Sequence, residues 1–180
     1  MEFYNFYANK TDGRELSNFW EASIIIEDRI YNSGEAAFHG SKYIECSRNI
    51  DDPSRKQLLA DYGHKFEVGN EFGHLTPSQI KQKGSKNDLP LNEFELLIWN
   101  SLSTFVQKDI CIYKYNTYPL VKQTLDNTRG KIIIHHALRY NDTNMTHRFW
   151  EGRGKIIDGK SVVLGLNQLG TIWMEIRDNQ

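Results

Sequence analysis

The run Ala22-Ser23-Ile24-Ile25-Ile26-Glu27-Asp28-Arg29-Ile30-Tyr31 leads straight into Asn32-Ser33-Gly34-Glu35, and this junction constrains the fold more than any other stretch. Apolar β-formers on both sides of Glu27-Asp28 predict two short strands around a tight turn. Ser33 is placed to cap a helix over 34–47, its hydroxyl accepting from an amide of the first turn. Glu35 falls in that turn, where the helix dipole and free N–H groups favour a carboxylate. Lys42 follows seven residues later, and two helical turns bring it to the same face. Taken alone, Glu35 reads as a capping acid and Lys42 as a surface lysine.

Other segments supply further helices. Residues 53–62 form one, with Asp52 as cap and Pro53 at the first helical position, where the missing N–H costs nothing. Between Gly63 and Pro90 glycine, lysine and polar residues predict loop, with a short helix after Thr76-Pro77. Leu91 to Val106 has helical period, with Phe94, Leu97, Ile98, Leu102 and Phe105 as the expected core face and Trp99 packing beside them. Helices are also predicted over 119–127 and 166–177, and strands over 131–135 and 161–164. Residues 3–7 are aromatic-rich and short. Several helices with a few short strands indicate an α+β fold, a single mainly helical domain over 1–180 with a small β-sheet.

At 180 residues the chain is large enough to bury a core without disulfides or metal. A net charge of −1 argues against binding DNA mainly by charge. Lys81, Lys83 and Lys86 make a mild basic cluster that normally serves solvation. Cys46 and Cys111 lie far apart without a C-x-x-C motif, as expected of buried thiols in a reducing compartment. Neither a basic-then-apolar leader nor an apolar run of membrane-spanning length is present, so a cytoplasmic protein without membrane partners is expected. His135 and His136 point to opposite faces of a strand, and His147 adds no recognisable ligand spacing, so no metal is expected.

Five short motifs recur in a definite order. They are Asn5-Phe6-Tyr7, Leu16-Ser17-Asn18-Phe19, Ser33-Gly34-Glu35 with Lys42-Tyr43, Trp150-Glu151-Gly152-Arg153-Gly154, and Gly165-Leu166-Asn167-Gln168-Leu169-Gly170 running to Met174-Glu175-Ile176-Arg177. Together they resemble the NADAR (YbiA-like) family over residues 3–178, with the central segment 64–130 poorly matched. The resemblance implies a YbiA-like α+β fold and an enzyme that hydrolyses N-glycosidic bonds. Its substrates would be riboflavin-pathway ribosylamino intermediates or ADP-ribosylated guanine, and no cofactor would be required.

Breaking a C1′–N bond builds positive charge on the ribose, so such a site wants a fixed carboxylate, a base for water and a hold on the leaving base. Glu35 matches the family glutamate and is the expected catalytic acid, either activating water or stabilising the oxocarbenium ion. Lys42 matches the family lysine and would pair with Glu35 or contact phosphate. Ala36 and His39 replace the histidine and glutamine usual in that motif, which bears on substrate identity. Asn18 and Phe19 would hold a heterocycle by hydrogen bonding and stacking. Trp150, on a loop with Gly152 and Gly154, would stack on a base or ribose, while Arg153 would reach phosphate. The family aspartate before this tryptophan is His147 here, an expected substrate contact, and Asp142 is the nearest candidate for a second catalytic acid. Asn167 and Gly170 open the last helix, an anion site in the family pattern or a plain helix cap. Gln168 replaces a frequent arginine.

The expected partner is therefore a small-molecule ribosyl phosphate or ADP-ribosyl substrate. ADP-ribosylated nucleic acid is the further class, since an extruded or single-stranded base needs only a local groove. The alternative from another class is a non-catalytic module binding ADP-ribose or NAD, favoured by the absence of the family acids at Ile134 and His147.

Overall fold

A computed structural model describes residues 1–179. In chain order its elements are β1 (Phe3–Phe6), β2 (Glu21–Ile26), β3 (Arg29–Ser33), α1 (Gly34–Arg48), α2 (Pro53–His64), α3 (Pro77–Lys83), α4 (Glu93–Thr117), α5 (Pro119–Asn127), β4 (Ile132–His135), β5 (Arg153–Ile157), β6 (Lys160–Leu164) and α6 (Gln168–Asp178), with 3-10 turns at Arg14–Leu16 and Asp142–Asn144. The class is α+β. The strands form three two-stranded pairs, β1 with β4, β2 with β3 and β5 with β6. Of these only β1 with β4 is parallel. The chain divides into two compact units, Asn18–Tyr113 and Met1–Ser17 together with the chain from Lys114 onward. None of the described helices is long and apolar enough to cross a membrane.

In the Asn18–Tyr113 unit, β2 and β3 form the predicted hairpin, its turn held by Glu27 at φ 47. Below it lies a core of Ile24, Tyr31, Ala36, Ala37, Tyr43, Leu59 and Ile80. The segment after α2 is tied down more firmly than its composition suggests. Phe66 and Phe72 are buried and pack edge-on at 5.2 Å, with Tyr43 stacked 6.0 Å from Phe66. The Val68 N–H donates to the Ile30 carbonyl, and the Asn32 amide donates to the carbonyl of Gly73. α3 opens with a reciprocal cap between Thr76 and Gln79.

α4 corrects the sequence reading. It runs to Thr117, beyond the expected end at Val106, and three of the five residues of its expected core face turn outward, Phe94, Leu97 and Phe105 at 61%, 68% and 67% exposed, while Ile98 packs against the core as expected and Leu102 is half-buried. The buried face instead carries Glu95, Trp99, Ser103, Gln107 and Ile110. Three bonding patterns explain the outward turn. Asn92 and Glu95 cap the helix reciprocally, the Glu95 N–H donating to Asn92 Oδ1 at 2.9 Å and the Asn92 N–H to Glu95 Oε2 at 2.8 Å. Arg55 then grips Glu95 with two bonds of 2.7 and 2.8 Å, and this pairing holds the carboxyl below its usual range. Gln107 is bound through its amide to Asn18. Buried polar groups are tolerated where they are satisfied in this way. Trp99 does pack inward as expected, edge-on to Phe38 at 4.9 Å.

In the other unit α6 lies on β4. A Cβ at Gly170 would approach the Ile133 carbonyl to 2.3 Å, so only glycine permits this contact. Trp173 is fully buried and its indole N–H donates to the Leu16 carbonyl. Lys114, also fully buried, donates to the Ser17 carbonyl at 3.0 Å and lies 5.6 Å from the Trp173 ring centre. β5, absent from the sequence reading, joins β6 through Asp158 and Gly159, both at positive φ. Asp-Gly is the favoured pair for such a two-residue hairpin turn.

Candidate functional site

Ser33 begins α1 as its composition demands, its hydroxyl accepting from the Ala36 N–H at 3.1 Å. The Glu35 N–H is taken by the Asn18 carbonyl at 2.9 Å. Gly34 makes that approach possible, because a Cβ there would stand 2.8 Å from Asn18 Oδ1. The Glu35 residue is only 8% exposed. One turn on, His39 Nε2 lies 3.2 Å from Glu35 Oε1. A carboxylate can only accept, so this contact puts a proton on Nε2. The other ring nitrogen, Nδ1, is buried without a hydrogen-bond partner.

Lys42 occupies the same flank and donates its ammonium to the Gly84 carbonyl, 4.4 Å from the Tyr43 ring centre. Burial pushes its pKa down to about 8, against the opposing pull of Cys46 and Glu35. Gly84, directly after α3, also lies against His39, and a Cβ there would fall 2.1 Å from His39 Nδ1. Glu35, His39 and Lys42 thus form a line on α1 backed by the Gly84 loop. On the adjoining flank of α1, Ser41 and Glu45 help line a separate cleft of about 310 Å³ with Asp109 and Ile112 of α4.

The Asn18 side chain pairs reciprocally with Gln107, Asn18 Nδ2 donating to Oε1 at 2.7 Å and Gln107 Nε2 donating to Asn18 Oδ1 at 3.0 Å. Its amide therefore fixes the loop against α4, and its carbonyl fixes Glu35. Phe19, next in the chain, has Lys81 of α3 5.5 Å from its ring centre.

The remaining expected residues belong to the other unit. Asn167, at φ 49, does not cap α6 with its side chain. It clamps β4 instead, its Oδ1 accepting from the His135 N–H at 2.9 Å and its Nδ2 donating to the Ile133 carbonyl at 2.8 Å. Gly152 packs on Asn167, where a Cβ would come within 2.8 Å. Trp150 is half-buried, edge-on to Phe149 at 4.9 Å, and its carbonyl lies 3.2 Å from His135 Nδ1. His147 is exposed on the preceding loop. Arg153 bonds the carbonyls of Ala137 and Tyr140 and pairs with Asp142 at 3.0 Å. Asp142 is also engaged by Lys155, and these two cations hold its carboxyl below the usual range. A carboxylate so held is a weak proton acceptor.

The comparisons bear on the fold. The chain superimposes on the NMR structure of the E. coli protein YbiA with a TM-score of 0.60 and 19% identity, covering 99% of this chain and 84% of that one. The fold is YbiA-like. No family model matches the sequence, and no curated protein matches it.

Within this YbiA-like fold the Asn18–Tyr113 unit brings together Asn18, Glu35 and Lys42, all named from sequence. It adds Gln107 and Gly84, which sequence reasoning missed because both lie in the segment unmatched to the family motifs. A signal for Gln107 was present, since Glu95, Ser103, Gln107 and Lys114 recur at helical spacing. Chemically, this unit offers a nearly buried carboxylate fixed through its backbone N–H and its side chain. Such a group needs little reorganisation to face a developing cation or to receive a proton from water.

Proposed function

We propose that this protein is an N-glycosidase of the NADAR type, hydrolysing the C1′–N bond of a phosphorylated ribosyl or ADP-ribosyl compound. The observation that carries the reading is Glu35, a residue 8% exposed at the opening of α1, with His39 Nε2 3.2 Å from its carboxylate and its backbone N–H bonded to the Asn18 carbonyl. As the bond to the leaving base lengthens, charge accumulates on C1′, and a preorganised carboxylate stabilises it or draws a proton from the attacking water. Water is the nucleophile, and the base leaves with the bonding electron pair. The YbiA-like fold and the ordered motifs support this assignment of chemistry.

The test is incubation of purified protein with ADP-ribosylated guanine oligonucleotide, ribosylamino-pyrimidine intermediates, NAD and ADP-ribose, followed by mass spectrometry. Release of a free base with gain of water at the ribose is expected from one of them. The engagement of Asp142 by Arg153 and Lys155 favours the second reading, an ADP-ribose-binding module lacking a second acid. Heat protection by ADP-ribose without cleavage of any substrate would select it.

A further inference from the structure

Ser47 and Ser101 return their hydroxyls to their own helices, donating to the carbonyls of Ile44 and Ile98 at 2.7 Å each. Ser41 of α1 does not. It is 1% exposed, and its Oγ has no hydrogen-bond partner. Tyr31, the polar neighbour that it influences, already accepts from Arg29 Nε at 3.1 Å. A buried hydroxyl left unpaired costs free energy, which a ligand able to bond it would recover. Ser41 lines the cleft of about 310 Å³ formed by β2, α1 and α4.

The rest of the cleft defines the ligand. Ile26 of β2 with Val106 and Ile112 of α4 supply apolar wall, and three carboxylates share the space, Glu27, Glu45 and Asp109. Arg29 and Arg48 hold Glu27 at 2.8 and 2.7 Å, and Arg48 also holds Glu45 at 2.7 Å. Among the described residues Asp109 enters no ion pair, so one negative charge is left over. Partial burial, then repulsion from Glu27, pushes its carboxyl above the ordinary range, and a cation beside it would relieve both effects. The volume lies at the lower end for ligand sites and suits a small molecule rather than a peptide segment. We propose that this cleft binds a small organic amine, its ammonium pairing with Asp109 and donating to Ser41 Oγ while its apolar body lies against Ile26, Val106 and Ile112. The site is separate from Glu35 and does not depend on the glycosidase reading.

The test is titration of the isotope-labelled full chain with 2-phenylethylamine, followed by amide chemical shifts, with 2-phenylethanol as the neutral analogue. The amine should saturate and move the amides of Ser41, Glu45 and the stretch from Val106 to Tyr113, leaving those of Glu35 and His39 in place. The alcohol should bind at least about tenfold more weakly, because it lacks the charge-assisted bond to Asp109. Asp109→Asn, a change at an exposed position, should weaken the amine by about 10–100-fold. Ser41→Ala should weaken it by about 2–10-fold without lowering the melting temperature of the free protein, since its hydroxyl has no bond to lose. Failure of the amine to saturate at tens of millimolar, shifts centred away from the cleft, equal binding of amine and alcohol, or unchanged binding by Asp109→Asn would overturn the proposal. If Ser41→Ala unfolds, the hydroxyl is structural and its part in the proposal falls, while Asp109→Asn still decides the rest.

Discussion

The amides of Asn18 and Gln107 pair in both directions at 2.7 and 3.0 Å, and through this pair α4 holds the loop whose carbonyl anchors Glu35. The candidate site therefore depends on Gln107, which acts on Glu35 through Asn18. Removing Asn18 leaves the Gln107 amide, only 2% exposed, with just Cys111 Sγ to bond, and removing Gln107 leaves the half-buried Asn18 amide unpaired. Asn18→Ala and Gln107→Ala should each cost about 1–3 kcal/mol in urea unfolding. The double variant should cost less than their sum, with a coupling of roughly 0.5–3 kcal/mol.

Gly84 and His39 interlock. A methyl at Gly84 would fall 2.1 Å from His39 Nδ1 in the present arrangement. Gly84→Ala should lower the melting temperature and displace the ring from Glu35. Combination with His39→Ala should recover most of the loss, and thermal unfolding of the single and double variants measures this.

Lys42 gives a pH signature. Its folded pKa, about 8, lies below the ordinary 10.5 because burial disfavours the ammonium. Between these values Lys42 binds more protons in the unfolded chain than in the folded one, so its own contribution to stability rises as pH rises from about 8 to about 10.5, against the opposite contribution of Cys46, whose thiol burial pushes up. The whole effect is about 3 kcal/mol. Below pH 8 the penalty is fully present. The stability of wild type relative to Lys42→Met should therefore rise across this window, as measured by denaturant unfolding of both at several pH values.

Glu95 behaves in the opposite sense. The Arg55 pair lowers its pKa, so its stabilisation is present above the ordinary carboxylate range and is lost as pH falls through the folded value. Arg55→Ala leaves the buried Glu95 carboxylate with only the Asn92 N–H as partner and should cost about 3 kcal/mol at neutral pH. The deficit should shrink in acid.

What was legible in the sequence followed local rules. The hairpin over 22–31, the Ser33 cap, Asp52 with Pro53, and the α+β class all rest on short-range hydrogen bonding, which composition records directly. The outward turn of Phe94, Leu97 and Phe105 on α4 did not, because the direction of this helix, which still sends Ile98 and Trp99 inward as expected, is set by Arg55 and Asn18, partners far away in the chain. The segment after Gly63 looked like loop because its anchors, Phe66, Phe72 and the Asn32 amide, act through tertiary contacts. At the candidate site Glu35, Asn18 and Lys42 were found by motif, while Gln107 and Gly84 enter only through the folded geometry.

The most direct test of the central claim is a single-turnover comparison of wild type with Glu35→Gln on whichever substrate of the panel is cleaved, with folded content matched by thermal unfolding. Loss of a preorganised charge that acts only in the transition state should slow base release by about 10²–10³ or more, with substrate binding nearly unchanged. Equal turnover by Glu35→Gln would contradict the assignment and return Glu35 to the role of a helix-capping acid.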